Sequence, residues 1–251
     1  MFPPTLQTIK NILLDLFFPP ICLNCGKYLD LREKTNPQTF EALAREFLCA
    51  QCSASIKLNN TFFCPVCRAR IPAGEKICHF DSVYLLAAAS NYDDPVIQNL
   101  IHSFKYRKFE TLSFILGEIL IQYIEELIRN SALEIRNFSV IPIPLHSKRE
   151  RERGFNQAEL LSKKIASRFN LPLLKNLRRV KETDPQVGKK GEDRLKNIEG
   201  CFAIREPEEI RSKNIILIDD VFTSGATINE AVRILKEAGA KKIIALVVAK
   251  A

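Results

Sequence analysis

Hydrophobic residues follow two different patterns beyond about residue 82, and each pattern predicts one kind of element. Continuous apolar runs are typical of strands in a parallel sheet that is covered on both faces. Such runs predict strands at 83–89, 139–143, 215–218 and 243–249. Apolar residues spaced three and four positions apart predict amphipathic helices, and these occur at 112–129, 156–169 and 228–238. Strands that alternate with helices predict right-handed βαβ units and an open, mostly parallel α/β sheet.

The chain before residue 82 has a different character, with short apolar runs, prolines and seven of the eight cysteines. We therefore divide it into an N-terminal cysteine-rich segment, 1–82, and an α/β domain, 83–251. Apolar residues between 9 and 17 share one helical face and predict a short amphipathic helix that ends before Pro19. Packing against the rest of the protein is the preferred interpretation of this helix, and a membrane-surface position is the alternative.

Charge and cysteine content narrow the classes of function. The chain has 37 basic and 29 acidic residues and a net charge of +8, which favours anionic partners. The basic residues concentrate at 102–108, 146–153 and 175–196. An odd number of neighbouring cysteines favours metal binding in a reducing compartment over a disulfide framework. No signal peptide is recognisable, and no apolar run approaches the ~20 residues that span a bilayer, so we expect a cytoplasmic protein without membrane insertion.

A candidate phosphate site follows the strand at 215–218. Asp219 and Asp220 stand at the carboxyl end of this strand, where open α/β sheets bind ligands. A turn of hydroxyl residues and glycine comes next, and it leads into a helix whose N-terminus favours an anion. Thr227 with Glu230 also fits a capping box, which predicts the helix start there. The two acids would accept hydrogen bonds from sugar hydroxyls or hold the water shell of a metal; the alternative is a capped helix with two solvated acids.

A second candidate segment is basic. A strand ends in a proline-stiffened turn, and Lys148, Arg149, Arg151 and Arg153 then occur within six residues. Arginine is suited to bidentate binding of phosphate oxygens. His102 and Lys105 are further candidates for the lining of a site, although His102 is equally consistent with a surface residue.

Several motifs resemble known families. The thirteen residues from Ile215 to Thr227 resemble the phosphoribosyl-pyrophosphate (PRPP) signature of the type I phosphoribosyltransferases. Pro-Ile-Pro-Leu-His at 142–146 and Arg-Gly-Phe-Asn-Gln at 153–157 resemble the ComF family of bacterial competence-associated proteins. Phe-Pro-Pro before the first cysteine pair and Asp-Pro-Gln at 184–186 fit the same family. The resemblance covers about 17–249 and implies a type I phosphoribosyltransferase fold, with an open and mostly parallel sheet and a small N-terminal zinc ribbon.

The resemblance also implies roles for individual residues. Those implied to contact PRPP are Asp219, Asp220, Val221, Thr223, Ser224, Gly225, Ala226, Thr227, Pro144 and His146. Asp219 and Asp220 would bind the ribose, and Arg149 and Arg153, with Arg151 beside them, would face the pyrophosphate. The acids together with Arg149 and Arg153 are the candidate catalytic residues. The stretch 175–196 is implied to close over PRPP, and its candidate ligands are Arg178, Arg179, Gln186 and Arg194.

Three Cys-x-x-Cys pairs predict structural zinc. Two such pairs complete a tetrahedral site, and the ligands of the first site are Cys22, Cys25, Cys49 and Cys52. A second site would take Cys64, Cys67 and Cys78, with Asp81 or His79 as its fourth ligand. In the family's double ribbon, Asp81 stands where the last cysteine would be, so a metal-free second ribbon held by packing stays an alternative. Cys201 is predicted to be a core residue.

Two functions fit these features. The preferred one is an enzyme that uses PRPP with Mg²⁺ and transfers the phosphoribosyl group to an acceptor that no motif identifies. The other is a non-enzymatic competence factor that binds single-stranded DNA or a helicase and senses PRPP. Phe104 and Tyr106 interleave with Lys105 and Arg107, as base-stacking in a basic segment would require. The oligomeric state is not encoded in any readable pattern.

Overall fold

A computed structural model describes residues 20–29, 40–72, 78–79, 81–107, 109–130, 132–181 and 198–251. The helix predicted at 9–17 lies outside these residues. The helices are α1 (Phe40–Arg45), α2 (Ala50–Ser55), α3 (Pro95–Tyr106), α4 (Leu112–Arg129), α5 (Ser147–Arg153), α6 (Gln157–Phe169) and α7 (Ala226–Glu237). The strands are β1 (Phe62–Phe63), β2 (Arg70–Ile71), β3 (Leu85–Asn91), β4 (Phe138–Pro142), β5 (Leu177–Arg179), β6 (Phe202–Ile204), β7 (Asn214–Phe222) and β8 (Lys242–Lys250). No helix among the described residues is long and apolar enough to cross a membrane.

The main sheet has the strand order β2-β1-β3-β8-β7-β4. Strands β3, β8, β7 and β4 are parallel, as the alternating pattern predicts. Their carboxyl ends therefore meet at one edge of the sheet. Strand β7 continues past its apolar run through the two acids to Phe222, because Asp219 and Val221 still pair with β8. The apolar run predicted that this strand would end at residue 218, which is too early, because polar residues can also form the backbone hydrogen bonds of a sheet.

Two layers of helices cover the sheet. Successive side chains of β7 point to opposite faces, so Ile216 and Ile218 pack in one apolar cluster and Ile215 and Leu217 in the other. The first cluster also contains the buried faces of α3, α4 and α6, and the second contains that of α7. This burial of both faces explains the uninterrupted apolar runs of the central strands.

The cysteine-rich segment joins the same sheet rather than standing apart from it. Strand β1 pairs antiparallel with β3 through Phe63 and Leu86. The hydroxyl of Tyr123, on α4, donates a hydrogen bond to the carbonyl oxygen of Thr61 at 2.7 Å. Cys22 and Leu48 are buried in the apolar cluster that contains α4. The boundary near residue 82 thus lies within a continuous sheet.

Helix α3 was not predicted as an element, although its signals are present in the sequence. Asp94 caps it by accepting hydrogen bonds from the N–H groups of Val96 and Ile97, and Pro95 occupies its first turn. Its last turn carries Lys105 and Tyr106 towards the carboxyl edge of the sheet. Part of the stretch 175–196 is also regular, because β5 pairs antiparallel with β6; Gln186 and Arg194 lie outside the described residues.

Candidate active site

A cavity of about 520 Å³ opens at the carboxyl ends of β4 and β7. Its wall contains residues from four separate parts of the chain. Of the predicted PRPP contacts and catalytic residues, those that line it are Arg149, Arg153, Asp219, Asp220, Val221, Thr223, Ser224, Gly225, Ala226 and Thr227. His102, Lys105 and Arg179 line it as well. The topology thus brings the acidic pair, the turn and two arginines of the basic segment around one space.

Pro144 and His146 are not among the residues of the cavity wall. The side chain of His146 instead accepts a hydrogen bond from the N–H of Lys148 at 3.4 Å and so caps α5. Arg151 is also absent from the wall, because successive residues of a helix point in different directions. His146 therefore helps to set the start of the helix that presents Arg149 and Arg153.

The acidic pair lies beside a lysine of α3. The Nζ atom of Lys105 is 2.9 Å from Oδ1 of Asp220, and only 21% and 10% of the two side chains are exposed. Burial lowers the pKa of Lys105, but the charge and the hydrogen bond of Asp220 outweigh this effect and leave the pKa raised. Lys105 is therefore protonated at neutral pH and neutralises one of the two carboxylates.

The neighbouring carboxyl group, that of Asp219, has a raised pKa. Burial, followed by the charge of Asp220, raises the pKa of Asp219 to about 7, against partial opposition from Lys105 and Arg179. Its Oδ1 atom accepts a hydrogen bond from the N–H of Asp220 at 2.8 Å. A cation or a hydroxyl donor that entered the cavity would therefore favour the ionised form. Carboxylate oxygens of this kind are the ligands that Mg²⁺ prefers.

The turn after β7 requires glycine at one position. Gly225 has a φ of +79°, and a Cβ atom there would lie 2.7 Å from Cζ of Phe222. Helix α7 begins at Ala226 with Gly225 as its N-cap, so the capping box predicted at Thr227 is wrong. Glu230 instead accepts a hydrogen bond from the N–H of Gly200 at 2.7 Å. The first N–H groups of a helix are not needed for its own hydrogen-bond ladder, so the start of α7 is suited to an anion.

Two arginines of the cavity wall lie against aromatic rings. The guanidinium of Arg153 lies 5.7 Å from the ring centre of Tyr106, and its Nη1 atom donates a hydrogen bond to Oε1 of Gln157 at 3.2 Å. The guanidinium of Arg179 lies 5.5 Å from the ring centre of Phe202. Arg178 is not in the wall, because neighbouring residues of a strand point to opposite sides.

Sequence reasoning missed several wall residues. These are Tyr92, Tyr106, Glu152, Asn156 and Gln157. Asn156 had a recognisable signal, since it is the N-cap of α6 and accepts a hydrogen bond from the N–H of Ala158 at 3.0 Å. Tyr92 directly follows the carboxyl end of β3, which is the edge where ligands bind. Tyr106 was considered only as a base-stacking residue.

The structure describes all eight cysteines, and each is a free thiol. The ligand atoms of Cys22, Cys25, Cys49 and Cys52 lie within 4.8 Å of one another. The Sγ atoms of Cys25 and Cys49 are 3.7 Å apart, close to the roughly 3.8 Å that tetrahedral zinc with 2.3 Å bonds would impose. Burial raises the pKa of Cys22, but backbone N–H donors outweigh it and lower the pKa to about 6. This cluster could hold a metal ion.

A second cluster contains Cys64, Cys67, Cys78 and His79. The Nδ1 atom of His79 is 3.4 Å from Sγ of Cys64 and 3.3 Å from Sγ of Cys78. Asp81 is described but does not belong to the cluster, so the geometry favours His79, the alternative fourth ligand. The reason is local, because His79 is adjacent to Cys78 in the chain and its imidazole lies beside the thiols of both Cys64 and Cys78.

Comparisons with known proteins agree with these features. A family model described as "Phosphoribosyl transferase domain" matches residues 156–251. "Competence protein F" of Haemophilus influenzae is 28% identical over 211 residues, which cover 80% of this chain and 89% of that protein. "Competence protein ComFC" of Bacillus subtilis is 28% identical over 230 residues, 87% of this chain and 90% of that protein. "DNA utilization protein YhgH" of Salmonella typhimurium is 24% identical over 208 residues, 80% and 89% of the two chains.

The family match and the parallel sheet together confirm the predicted fold class. The relatives confirm the resemblance that the motifs indicate, because the similarity extends well beyond the phosphoribosyl transferase domain. Residues 156–251 thus match a phosphoribosyl transferase domain, and the chain is similar over 80–87% of its length to the competence proteins F and ComFC.

Proposed function

We propose that the protein binds PRPP with Mg²⁺ at the carboxyl edge of its sheet and transfers the phosphoribosyl group to an acceptor. One observation carries this proposal. Two carboxylates at the end of β7, the turn 223–227 and the arginines of α5 surround a single cavity. Each group matches one part of PRPP, namely the ribose hydroxyls, the 5′-phosphate and the pyrophosphate.

The residues divide the work of the reaction. The N–H groups and hydroxyls of the turn 223–227 hold the 5′-phosphate, and Asp219 and Asp220 accept hydrogen bonds from the ribose hydroxyls. The bond between the anomeric carbon and pyrophosphate breaks as the acceptor bonds to that carbon. Pyrophosphate leaves with the electron pair, and Arg149 and Arg153 stabilise the charge that develops on it.

Metal ions fit two parts of this scheme. Bound Mg²⁺ would neutralise part of the pyrophosphate charge and orient the substrate, and Asp219 and Asp220 are the residues that would hold it or its water shell. Structural zinc fits the two cysteine clusters, because each brings four ligand atoms of the kind zinc prefers within 4.8 Å of one another. No residue of either cluster lines the cavity, so zinc there would be structural.

Isothermal titration with PRPP and MgCl₂ tests the binding. We expect a clear binding isotherm for the wild type and at least a tenfold loss for the Asp219→Ala, Asp220→Ala variant. A variant with Glu208→Gln and Glu237→Gln loses two surface acids elsewhere and serves as the matched control. Absence of wild-type binding, or equal losses in both variants, would contradict the proposal. Release of pyrophosphate in the presence of a panel of nucleophilic acceptors then tests the transfer.

The names of the relatives support a second candidate function, a role in competence and DNA use. We propose the cytoplasm as the place of either function. In its favour, the basic segment at the end of α3 includes Tyr106, whose side chain is 55% exposed beside the guanidinium of Arg153. Bases of single-stranded DNA could stack there while cations contact the phosphates. Affinity for an oligonucleotide should then fall steeply between two salt concentrations, and should fall again in Tyr106→Ala. A weak response that does not depend on salt would exclude this function.

A further inference from the structure

Two of the cysteine knuckles have the same backbone geometry. In the first, the N–H of Gly26 donates to the carbonyl oxygen of Cys22 at 2.9 Å, and the N–H of Cys22 donates to that of Lys27 at 2.8 Å. In the second, the N–H of Arg68 donates to the carbonyl oxygen of Cys64 at 2.8 Å, and the N–H of Cys64 donates to that of Ala69 at 2.9 Å. Gly26 and Arg68 therefore occupy equivalent positions.

This position has left-handed backbone geometry in both knuckles. The φ angles are +72° at Gly26 and +62° at Arg68. Glycine adopts this conformation freely, whereas a side chain with a Cβ atom makes it unfavourable. The second knuckle thus carries a large residue where the fold alone would favour glycine, which indicates that the Arg68 side chain has another role.

The guanidinium of Arg68 reaches the turn that follows β7. Its Nη2 atom donates a hydrogen bond to the carbonyl oxygen of Thr223 at 2.6 Å, and its Nη1 atom donates to that of Ala251 at 2.5 Å. It also lies 5.9 Å from the ring centre of Phe222, the ring that occupies the space beside Gly225. Arg68 therefore holds the first residue of the turn and borders the ring on which the turn rests.

We propose that Arg68 is a positioning residue, which sets the turn 223–227 for phosphate binding from outside the cavity. It is not one of the residues that line the cavity, so it acts through the backbone of Thr223 and not through the ligand. The inference rests on the proposed function, because it assigns the 5′-phosphate to this turn. The same contact links the second cysteine cluster, through its knuckle, to the phosphate site.

Arg68→Gly separates this role from a contribution to folding. Glycine fits the left-handed knuckle, so thermal unfolding should occur at the same temperature or higher, while the two hydrogen bonds to the turn are lost. We expect affinity for ribose 5-phosphate to fall about tenfold, with affinity for pyrophosphate unchanged, since hydrogen bonds from charged donors have effects of this size. Arg68→Lys, which loses the bidentate fork, should give a smaller loss.

Arg70→Ala is the control, because it removes an exposed positive charge on β2, two residues away. Equal affinities of the wild type and Arg68→Gly for ribose 5-phosphate would overturn the inference, as would equal losses in Arg68→Gly and Arg70→Ala. A wild type that binds neither PRPP nor ribose 5-phosphate would overturn the proposed function as well. The two failures are therefore distinguishable.

Removal of metal tests the link to the cluster. Because coupling between two sites is reciprocal, a chelator that strips the second cluster should weaken ribose 5-phosphate binding in the wild type, and added zinc should restore it. In Arg68→Gly the chelator should change this affinity much less. If the chelator weakened ribose 5-phosphate binding equally in the wild type and in Arg68→Gly, the cluster would not act through Arg68 and the link would be refuted.

Discussion

Replacing Asp219 with asparagine should stabilise the protein while removing its affinity for PRPP. The new amide side chain would keep an oxygen that accepts the hydrogen bond from the N–H of Asp220, now 2.8 Å from Oδ1 of the aspartate. The substitution would remove a carboxylate whose pKa is raised to about 7 by burial and by the charge of Asp220. Functional sites commonly hold such unfavourable groups at the expense of stability.

The size and pH dependence of the effect follow from this pKa. Since the folded protein binds the proton of Asp219 more tightly than the unfolded chain, the free energy of unfolding falls as pH rises from about 4 to about 7. A pKa that rises from 3.8 to about 7 corresponds to at most roughly 4 kcal/mol, at about 1.36 kcal/mol per pKa unit. The effect should be smaller than this limit, because the asparagine side chain has its own desolvation cost and the cavity is partly open to water. We therefore expect Asp219→Asn to raise the free energy of unfolding by about 2 kcal/mol above pH 7 and to change it very little at pH 4.

Urea denaturation at pH 4.5 and 8, without ligand, measures this difference. Asp220→Asn is the sharpest control, because it removes the partner of Lys105 and leaves a mostly buried ammonium unpaired. Adjacent substitutions of the same chemistry should therefore have opposite effects at pH 8, with Asp219→Asn stabilising and Asp220→Asn destabilising. A gain for Asp219→Asn that is the same at both pH values, or a loss at pH 8, would refute the reasoning.

Three further predictions concern the turn, the ion pair and the clusters. Gly225→Ala should lower the free energy of unfolding by about 2 kcal/mol and weaken PRPP binding, because Gly225 has a left-handed φ and an added Cβ would lie 2.7 Å from the ring of Phe222. Urea denaturation measures the stability and calorimetric titration the affinity, and unchanged values of the two would contradict the prediction. Lys105→Met should lower the free energy of unfolding by about 2 kcal/mol at pH 8, because it leaves the Asp220 carboxylate without its lysine, and the double variant Lys105→Met, Asp220→Asn should regain most of this stability. Equal stabilities of the single and the double variant in urea denaturation would argue against this prediction. Metal analysis should find two zinc ions per chain in the wild type, about one in Cys25→Ser and two in Cys201→Ser. Two zinc ions per chain in Cys25→Ser would show that Cys25 is not a ligand of the first cluster.

Features whose residues are neighbours in the chain were predictable from the sequence. Asp219 and Asp220 directly precede the turn 223–227 along the chain, so their proximity does not depend on how distant elements pack. The parallel sheet was predictable because burial on both faces leaves continuous apolar runs between helical segments. Paired cysteines likewise signal a metal knuckle, since two residues between them allow both thiolates to reach one ion.

The amino-acid sequence alone therefore determined the class of the fold, the position of the turn 223–227 next to Asp219 and Asp220, and the cysteines of the first cluster. The tertiary structure decided which distant groups contact these features, namely Lys105 on Asp220 and Arg68 on Thr223. It also decided between two neighbouring candidates for the second cluster, where His79 and not Asp81 lies beside the thiols. Arg68 and Thr223 are separated by 155 positions, and their contact requires that β1 and β2 extend the sheet beside β3. Local patterns of polarity specify which face of an element is buried, but not the order in which strands assemble, and this order sets the long-range contacts of the site.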